Sequence, residues 1–222
     1  MNPNYAAVSR PRLSALEANK VLKNTYMLLA ATLAFSAVMA MLAMYIQVPP
    51  MTYIISVIAS MILGMFVLPK TANSSAGIGV IFLITGLLGF GLGSIIELYL
   101  AMPNGHQIVA TALGGTGIIF LGLSGYALTS KKDFSFLGGF LFAGMMVVVL
   151  AIIASLFVQI PALSLTISAA VIMLMSGLIL FETSRIINGG ETNYIMATYS
   201  IFLSLFNIFI SLLHILGVTS ND

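Results

Sequence analysis

Turn-forming residues divide the chain into seven apolar runs, and this pattern constrains its fold more than any other feature. A transmembrane helix needs about 20 predominantly apolar residues, and each run reaches or approaches that length. Because 60% of the residues are hydrophobic and only 6% are charged, little remains from which to build a soluble domain. We therefore predict an all-α integral membrane protein, a seven-transmembrane helix bundle. The predicted spans are 25–47, 51–68, 78–100, 108–129, 136–157, 165–187 and 194–217.

The basic residues indicate how these helices are oriented. Seven spans place alternate connections on opposite sides of the membrane, and cytoplasmic connections carry an excess of Lys and Arg. With the N-terminus inside, one side receives all eight basic residues: Arg10, Arg12, Lys20, Lys23, Lys70, Lys131, Lys132 and Arg185. We therefore predict a flexible basic cytoplasmic tail at 1–24, with a short surface helix at 13–23. The helix bundle follows at 25–217, and a short external C-terminus at 218–222.

Glycine is concentrated in the third, fourth and fifth predicted spans. Helices in lipid associate through close packing, and small residues let their backbones approach. The run from Gly89 to Gly93 has the small-xxx-small spacing that suits such an approach. We interpret the glycines of all three spans as packing residues rather than as parts of a phosphate-binding loop.

Residues that could carry catalysis are few and badly placed. The chain has no cysteine, which excludes thiolate chemistry and Cys-ligated metals. Ser124 and His214 would lie near opposite membrane faces, on the order of 20 Å apart in depth at about 1.5 Å per residue. We therefore predict no enzyme activity, no catalytic residue, no cofactor and no metal site, and no nucleic-acid partner.

Glu182 is the residue that most needs a functional explanation. It lies about five residues inside the predicted sixth span, where a carboxylate is costly and marks a candidate site. Arg185 follows three residues later, a spacing at which side chains meet on a helix. Two interpretations stay open, a structural ion pair and a gate that responds to protonation.

The residues after Glu182 predict a tight cytoplasmic hairpin between the last two spans. Gly189 and Gly190 suit the left-handed end of a helix. Thr192 or Asn193 suits the N-cap of the next helix, and Glu191 would lie near its positive end.

The segment Phe-Glu-Thr-Ser-Arg-Ile-Ile-Asn-Gly-Gly-Glu-Thr-Asn-Tyr-Ile at 181–195 resembles the signature of the Bax inhibitor-1, or transmembrane Bax inhibitor motif, family. Ile-Phe-Leu-Ser-Leu-Phe-Asn-Ile-Phe at 201–209 continues the likeness. Lys-Val-Leu-Lys-Asn-Thr-Tyr at 20–26, Lys-Thr-Ala-Asn at 70–73 and Lys-Lys-Asp-Phe-Ser-Phe-Leu-Gly-Gly at 131–139 are similar to the bacterial branch. The resemblance implies a bundle whose last helix is central and surrounded by the other six.

The resemblance also implies a function. Its bacterial branch implies a regulator in the cytoplasmic (inner) membrane that binds and modulates FtsH, a membrane-anchored ATP-dependent protease. The alternative implied by other members is a pH-sensitive cation leak for calcium, which depends on paired acidic residues on the last two helices. Glu182 occupies the first acidic position, but the second is Ser204, with Asn207 retained nearby. A serine cannot share a proton with Glu182 or supply charge to a divalent ion, which favours the regulator.

Overall fold

The computed structural model describes residues 15–157 and 160–220 of the chain. Within these ranges there are seven long helices and no strand, and each helix contains a stretch apolar enough to cross a membrane. The prediction of seven spans is confirmed. The helices are α1 Ala15–Tyr45, α2 Met51–Thr71, α3 Ser75–Leu100, α4 Gly105–Ser130, α5 Leu137–Ser155, α6 Pro161–Ile187 and α7 Tyr194–Thr219.

The first helix begins earlier than the hydropathy of the chain predicts. Residues 15–24 continue directly into the first span, instead of forming a separate surface helix. Ala18 is buried, and Val21 and Leu22 pack against the core, so these turns have an apolar contact that holds them. The predicted surface helix at 13–23 is therefore wrong for its described part, and residues 1–14 lie outside the described ranges.

The second helix has an irregular turn near its end. Its backbone widens to π-helical geometry over Leu63–Val67, just before Pro69. Proline has no N–H to donate within a helix, and a π turn accommodates the lost hydrogen bond. Gly64 lies in this turn against Tyr199 of α7, where a Cβ would collide with the phenol ring.

The centre of the bundle is formed by α3 and α7, the two most buried helices. Helix α7 packs against α1, α3, α4 and α6, whereas α2 packs mainly on α3, and α5 on α6. The last helix is thus central, as the family resemblance implies, although it contacts four helices extensively rather than all six. The core along α7 includes Ile201, Phe202, Ile208 and Leu213, all almost fully buried.

The glycines of α3 and α4 have different surroundings. A Cβ built at Gly89 would lie 2.2 Å from the Ser36 carbonyl oxygen of α1, so only glycine permits this approach. In contrast, Gly114, Gly117 and Gly122 of α4 have open space at the Cβ position. The packing interpretation is confirmed for the α3 glycines other than Gly79, and it is wrong for these α4 positions, where no neighbouring atom lies within 4 Å of the Cβ position.

Candidate functional site

Glu182 lies in the last two turns of α6 and is only 7% exposed. Both of its carboxylate oxygens lie 3.4 Å from Nη1 of Arg185, and Oε1 accepts a hydrogen bond of 3.2 Å from the Ser200 hydroxyl of α7. An acid at this depth needs compensation for the hydration it loses. Here a cation from its own helix and a hydroxyl from the adjacent helix supply it.

Arg185 bridges two acids rather than pairing with one. Its Nη2 lies 3.3 Å from Oε2 of Glu191 and 3.4 Å from the Gly190 carbonyl oxygen. Its guanidinium carbon is 5.4 Å from the centroid of the Phe181 ring, within the distance of a cation–π contact. These polar distances exceed the roughly 2.7–2.9 Å of strong charge-assisted hydrogen bonds. The guanidinium is therefore shared among several weaker contacts.

The chain reverses direction through Gly189, whose φ of 73° is in the left-handed region that favours glycine. Two amides after it, those of Gly190 and Glu191, donate to the Arg185 carbonyl at 2.7 and 3.2 Å and satisfy the end of α6. The Glu191 Oε1 then accepts from the amides of Thr192 and Asn193 at 3.0 and 2.9 Å. This carboxylate thus orders the turn while its second oxygen faces Arg185.

Asn193 joins this hairpin to the turn between α2 and α3. Its Oδ1 accepts from the amides of Ile195 and Met196 at 2.9 and 3.1 Å, which makes it the N-cap of α7. Its Nδ2 donates to the Ala72 carbonyl at 3.0 Å and to Oδ1 of Asn73 at 2.8 Å. A single amide therefore caps one helix and fixes a distant loop.

Ser184 and Asn188 join the same end of α6 to the loop between α4 and α5. The Ser184 hydroxyl donates to the Lys132 carbonyl at 3.0 Å and accepts from the Phe134 amide at 2.9 Å. The Asn188 amide donates to the Ser184 carbonyl at 2.9 Å and reaches the Lys132 carbonyl at 3.4 Å. Sequence reasoning missed these two residues, although their spacing of four at a helix end places them on one face.

Ser204 and Asn207, which the sequence groups with Glu182, make other contacts. The Ser204 hydroxyl donates to the Ser200 carbonyl at 2.9 Å, and the Asn207 amide to the Leu203 carbonyl at 2.8 Å. Glu182 contacts Ser200 instead of Ser204 because these two side chains lie at the same depth. Glu182 is five residues from the end of α6, and Ser200 is six residues from the start of α7. Ser204 lies one turn deeper.

No group of three His, Asp or Glu side chains in the part of the chain that the structure describes could hold a metal ion. His214 pairs with the Ser164 hydroxyl at 3.2 Å, at the end of α6 opposite Glu182. The cluster of Glu182, Arg185 and Glu191 can instead fix the positions of α6, α7 and their hairpin.

Comparisons with known proteins agree with this architecture. Residues 18–221 match the profile of the family described as "Inhibitor of apoptosis-promoting Bax1". The match therefore covers nearly all of the described bundle, including the hairpin.

Individual relatives are similar along almost their whole length. The chain is 50% identical to the "Modulator of FtsH protease YccA" of Escherichia coli strain K12, over 96% of this chain and 97% of that protein. It is also 50% identical to an uncharacterised membrane protein of Vibrio cholerae, over 93% of each chain. An uncharacterised protein of Pseudomonas aeruginosa is 45% identical over 93% of this chain and 92% of its own length. The chain thus belongs to the Bax inhibitor-1 family of membrane proteins.

Proposed function

We propose that the chain modulates an FtsH-type protease by direct contact within the bacterial inner membrane. The observation that carries the proposal is the 50% identity, over 96% of the chain, to a protein named as a modulator of FtsH protease. A second relative is named an inner membrane protein, which supports the compartment. The seven apolar helices are consistent with a partner met in the plane of the membrane.

The hairpin side of the bundle is the surface we assign to the protease contact. Hydrogen bonds from Ser184, Asn188 and Asn193 join the loops at 72–74, 131–136 and 188–193. Loops fixed to each other keep one shape, so little conformational entropy is lost when a partner binds. Exposed lysines lie on one of these loops and beside another. Their positive charges can steer an encounter with an acidic surface. The lysines are Lys70, Lys131 and Lys132.

The test compares two variants with the unaltered protein. Lys70→Gln combined with Lys132→Gln removes two exposed positive charges. His106→Gln combined with Gln107→Ala changes exposed residues at the start of α4, on the opposite side of the bundle. We expect the unaltered protein and the α4 variant to co-purify with the protease from solubilised membranes. Both should lengthen the half-life of a membrane substrate, whereas the lysine variant should do so less.

The outcomes separate the function from the surface. If the unaltered protein neither co-purifies with the protease nor changes substrate half-life on overexpression, the proposed function is wrong. If both variants behave like the unaltered protein, the function stands and the assigned surface is wrong.

The alternative of a cation leak gated by Glu182, with calcium or protons as its ions, stays a prediction. The Arg185 guanidinium and the Ser200 hydroxyl contact the carboxylate, and position 204 lacks a second acid. Both features favour a structural ion pair over an ion site. Purified protein in vesicles containing a calcium dye would test the leak. Equal flux for the unaltered protein and Glu182→Gln at acidic and neutral pH would exclude this gate.

A further inference from the structure

A cavity of about 550 Å³ lies between α1, α3, α4 and α7, in the half of the bundle away from the hairpin. We call it the α1–α4 groove. Its walls come from the second half of α1 and the first half of α4, and its floor is the aromatic face of α7. The residues used in the argument are Ala37, Met41, Leu113, Thr116, Gly117 and Phe206.

The lining of the groove is almost entirely apolar. Its polar side chains are Ser36 and Thr116, and none of its lining residues is charged. The Thr116 hydroxyl already donates to the Ala112 carbonyl at 2.7 Å. A buried water needs two to four polar partners, and apolar cavities of this kind stay dry. A space this large would also forfeit dispersion contacts if it were empty, so an apolar occupant is favoured.

The groove opens sideways toward the surrounding hydrocarbon. Met41 and Leu113 lie on opposite walls and are 56% and 58% exposed. Toward the hairpin, the rings of Tyr26 and Phe120 bridge α1 and α4 in an edge-on contact, with centroids 5.9 Å apart. An occupant therefore enters from the membrane, and the groove ends before it reaches the hairpin.

We propose that the α1–α4 groove binds one acyl chain of a bilayer phospholipid, from the leaflet opposite the hairpin. Its volume is within the roughly 300–1,000 Å³ of sites that hold small ligands. Lipid chains are the apolar groups at highest concentration at this depth, and they are as apolar as leucine side chains. Since no charged side chain lines the groove, it selects the chain rather than the headgroup.

The chain contains no tryptophan, so one introduced residue gives an unambiguous fluorescence signal. Phe206→Trp places a reporter on the floor of the groove, at a position only 9% exposed. Its emission is measured in vesicles of phosphatidylcholine with brominated acyl chains and in matched vesicles without bromine. Bromine quenches only over short distances, so we expect at least a twofold loss of emission in brominated vesicles.

Two further changes fill the groove in the same reporter protein. Gly117→Leu adds a side chain where the Cβ position is open. Ala37→Phe adds a larger side chain on the opposite wall of the groove. Each should restore at least half of the lost emission. Gly114→Leu is the matched control, because this glycine of α4 also has open space but does not line the groove. Its quenching should be unchanged.

Only variants with the circular dichroism of the unaltered protein and a single peak in gel filtration are compared. Two filling variants on different helices keep the test decisive if one of them fails to fold. The proposal is overturned if the reporter is not quenched, or if the folded filling variants leave quenching unchanged. It is also overturned if Gly114→Leu relieves quenching equally. Quenching that rises steadily as protein is diluted into lipid would mean that a second copy of the chain occupies the groove instead.

Discussion

Arg185 holds two carboxylates that lie on either side of the turn between α6 and α7. Glu182 precedes the turn and is buried, whereas Glu191 follows it and is closer to water. The cation also lies in the last turn of α6, where the helix dipole favours positive charge. Its removal therefore has different consequences from removal of either acid.

We predict that Arg185→Gln lowers the thermal stability of the solubilised protein more than Glu182→Gln does. The arginine variant leaves a buried carboxylate without its counter-ion, at a cost of roughly 1–3 kcal/mol. In Glu182→Gln the arginine keeps Glu191, the Gly190 carbonyl and the Phe181 ring. Thermal unfolding followed by circular dichroism measures the difference.

The double variant Glu182→Gln, Arg185→Gln tests this explanation. Because it removes the buried charge together with its partner, it should be more stable than Arg185→Gln alone. A double variant less stable than either single variant would show that the two side chains stabilise the bundle independently of their ion pair.

The sequence predicts the ion pair but not the residue that completes it. Glu182 and Arg185 are three residues apart on one helix, and helical geometry alone brings them together. Ser200 contacts Glu182 only because α6 and α7 have a particular register and rotation. These depend on packing along both helices, so the family motif drew attention to Ser204, one turn too deep.

The hairpin and the helices around it show how one side chain can order several elements. Asn193 uses its carbonyl oxygen for the N-cap of α7 and its amino group for the turn between α2 and α3. Asparagine provides an acceptor and two donors on the same planar group. Substitutions can therefore remove one function and keep the other.

We predict that Asn193→Asp costs less stability than Asn193→Ala. Aspartate keeps an oxygen for the Ile195 and Met196 amides, while it loses the donors to Ala72 and Asn73. Alanine loses both the N-cap oxygen and the donors to the α2–α3 turn. Loss of the cap alone costs about 0.5–2 kcal/mol. Melting temperatures of the three solubilised proteins measure the order. Equal destabilisation by both substitutions would mean that the link to the α2–α3 turn, and not the cap, is what matters.

We predict that Gly89→Ala sharply reduces the yield of folded protein, whereas Gly79→Ala does not. Both glycines are on α3, but a Cβ at position 89 would collide with the backbone of α1, and at position 79 it meets open space. Overpacking of this kind costs typically about 1–3 kcal/mol. Folded yield is measured by gel filtration after solubilisation. A normal yield for Gly89→Ala would mean that α1 and α3 can separate without loss of the fold.

The sequence predicts the positions of the helices more reliably than it predicts which residues surround each position on a helix. The seven spans follow from the length of the apolar runs, because the bilayer fixes that length. The turns at Gly189 and Asn193 follow from local backbone chemistry. Whether a glycine lies against a neighbour is a property of the assembled bundle, which is why Gly89 and Gly114 have different surroundings despite similar sequence contexts.

For the whole molecule, the two proposals depend on its orientation in the membrane. The distribution of basic residues predicts that the hairpin faces the cytoplasm. In that orientation the proposed protease contact lies in the cytoplasm, and the α1–α4 groove opens into the external leaflet. A reversed orientation would place the hairpin surface outside the cytoplasm and the α1–α4 groove in the cytoplasmic leaflet.

We predict that Gln107→Cys reacts with a membrane-impermeant maleimide in bacteria whose outer membrane alone is permeabilised, whereas Thr192→Cys does not. Both positions are exposed, at opposite ends of the bundle, and the chain has no cysteine of its own to interfere. Thr192→Cys should react once the inner membrane is also disrupted, which controls for its accessibility. The reverse pattern would place the hairpin outside the cytoplasm. The protease contact would then have to be sought at the turns around residues 46–50 and 101–104, which are on the other side of the bundle.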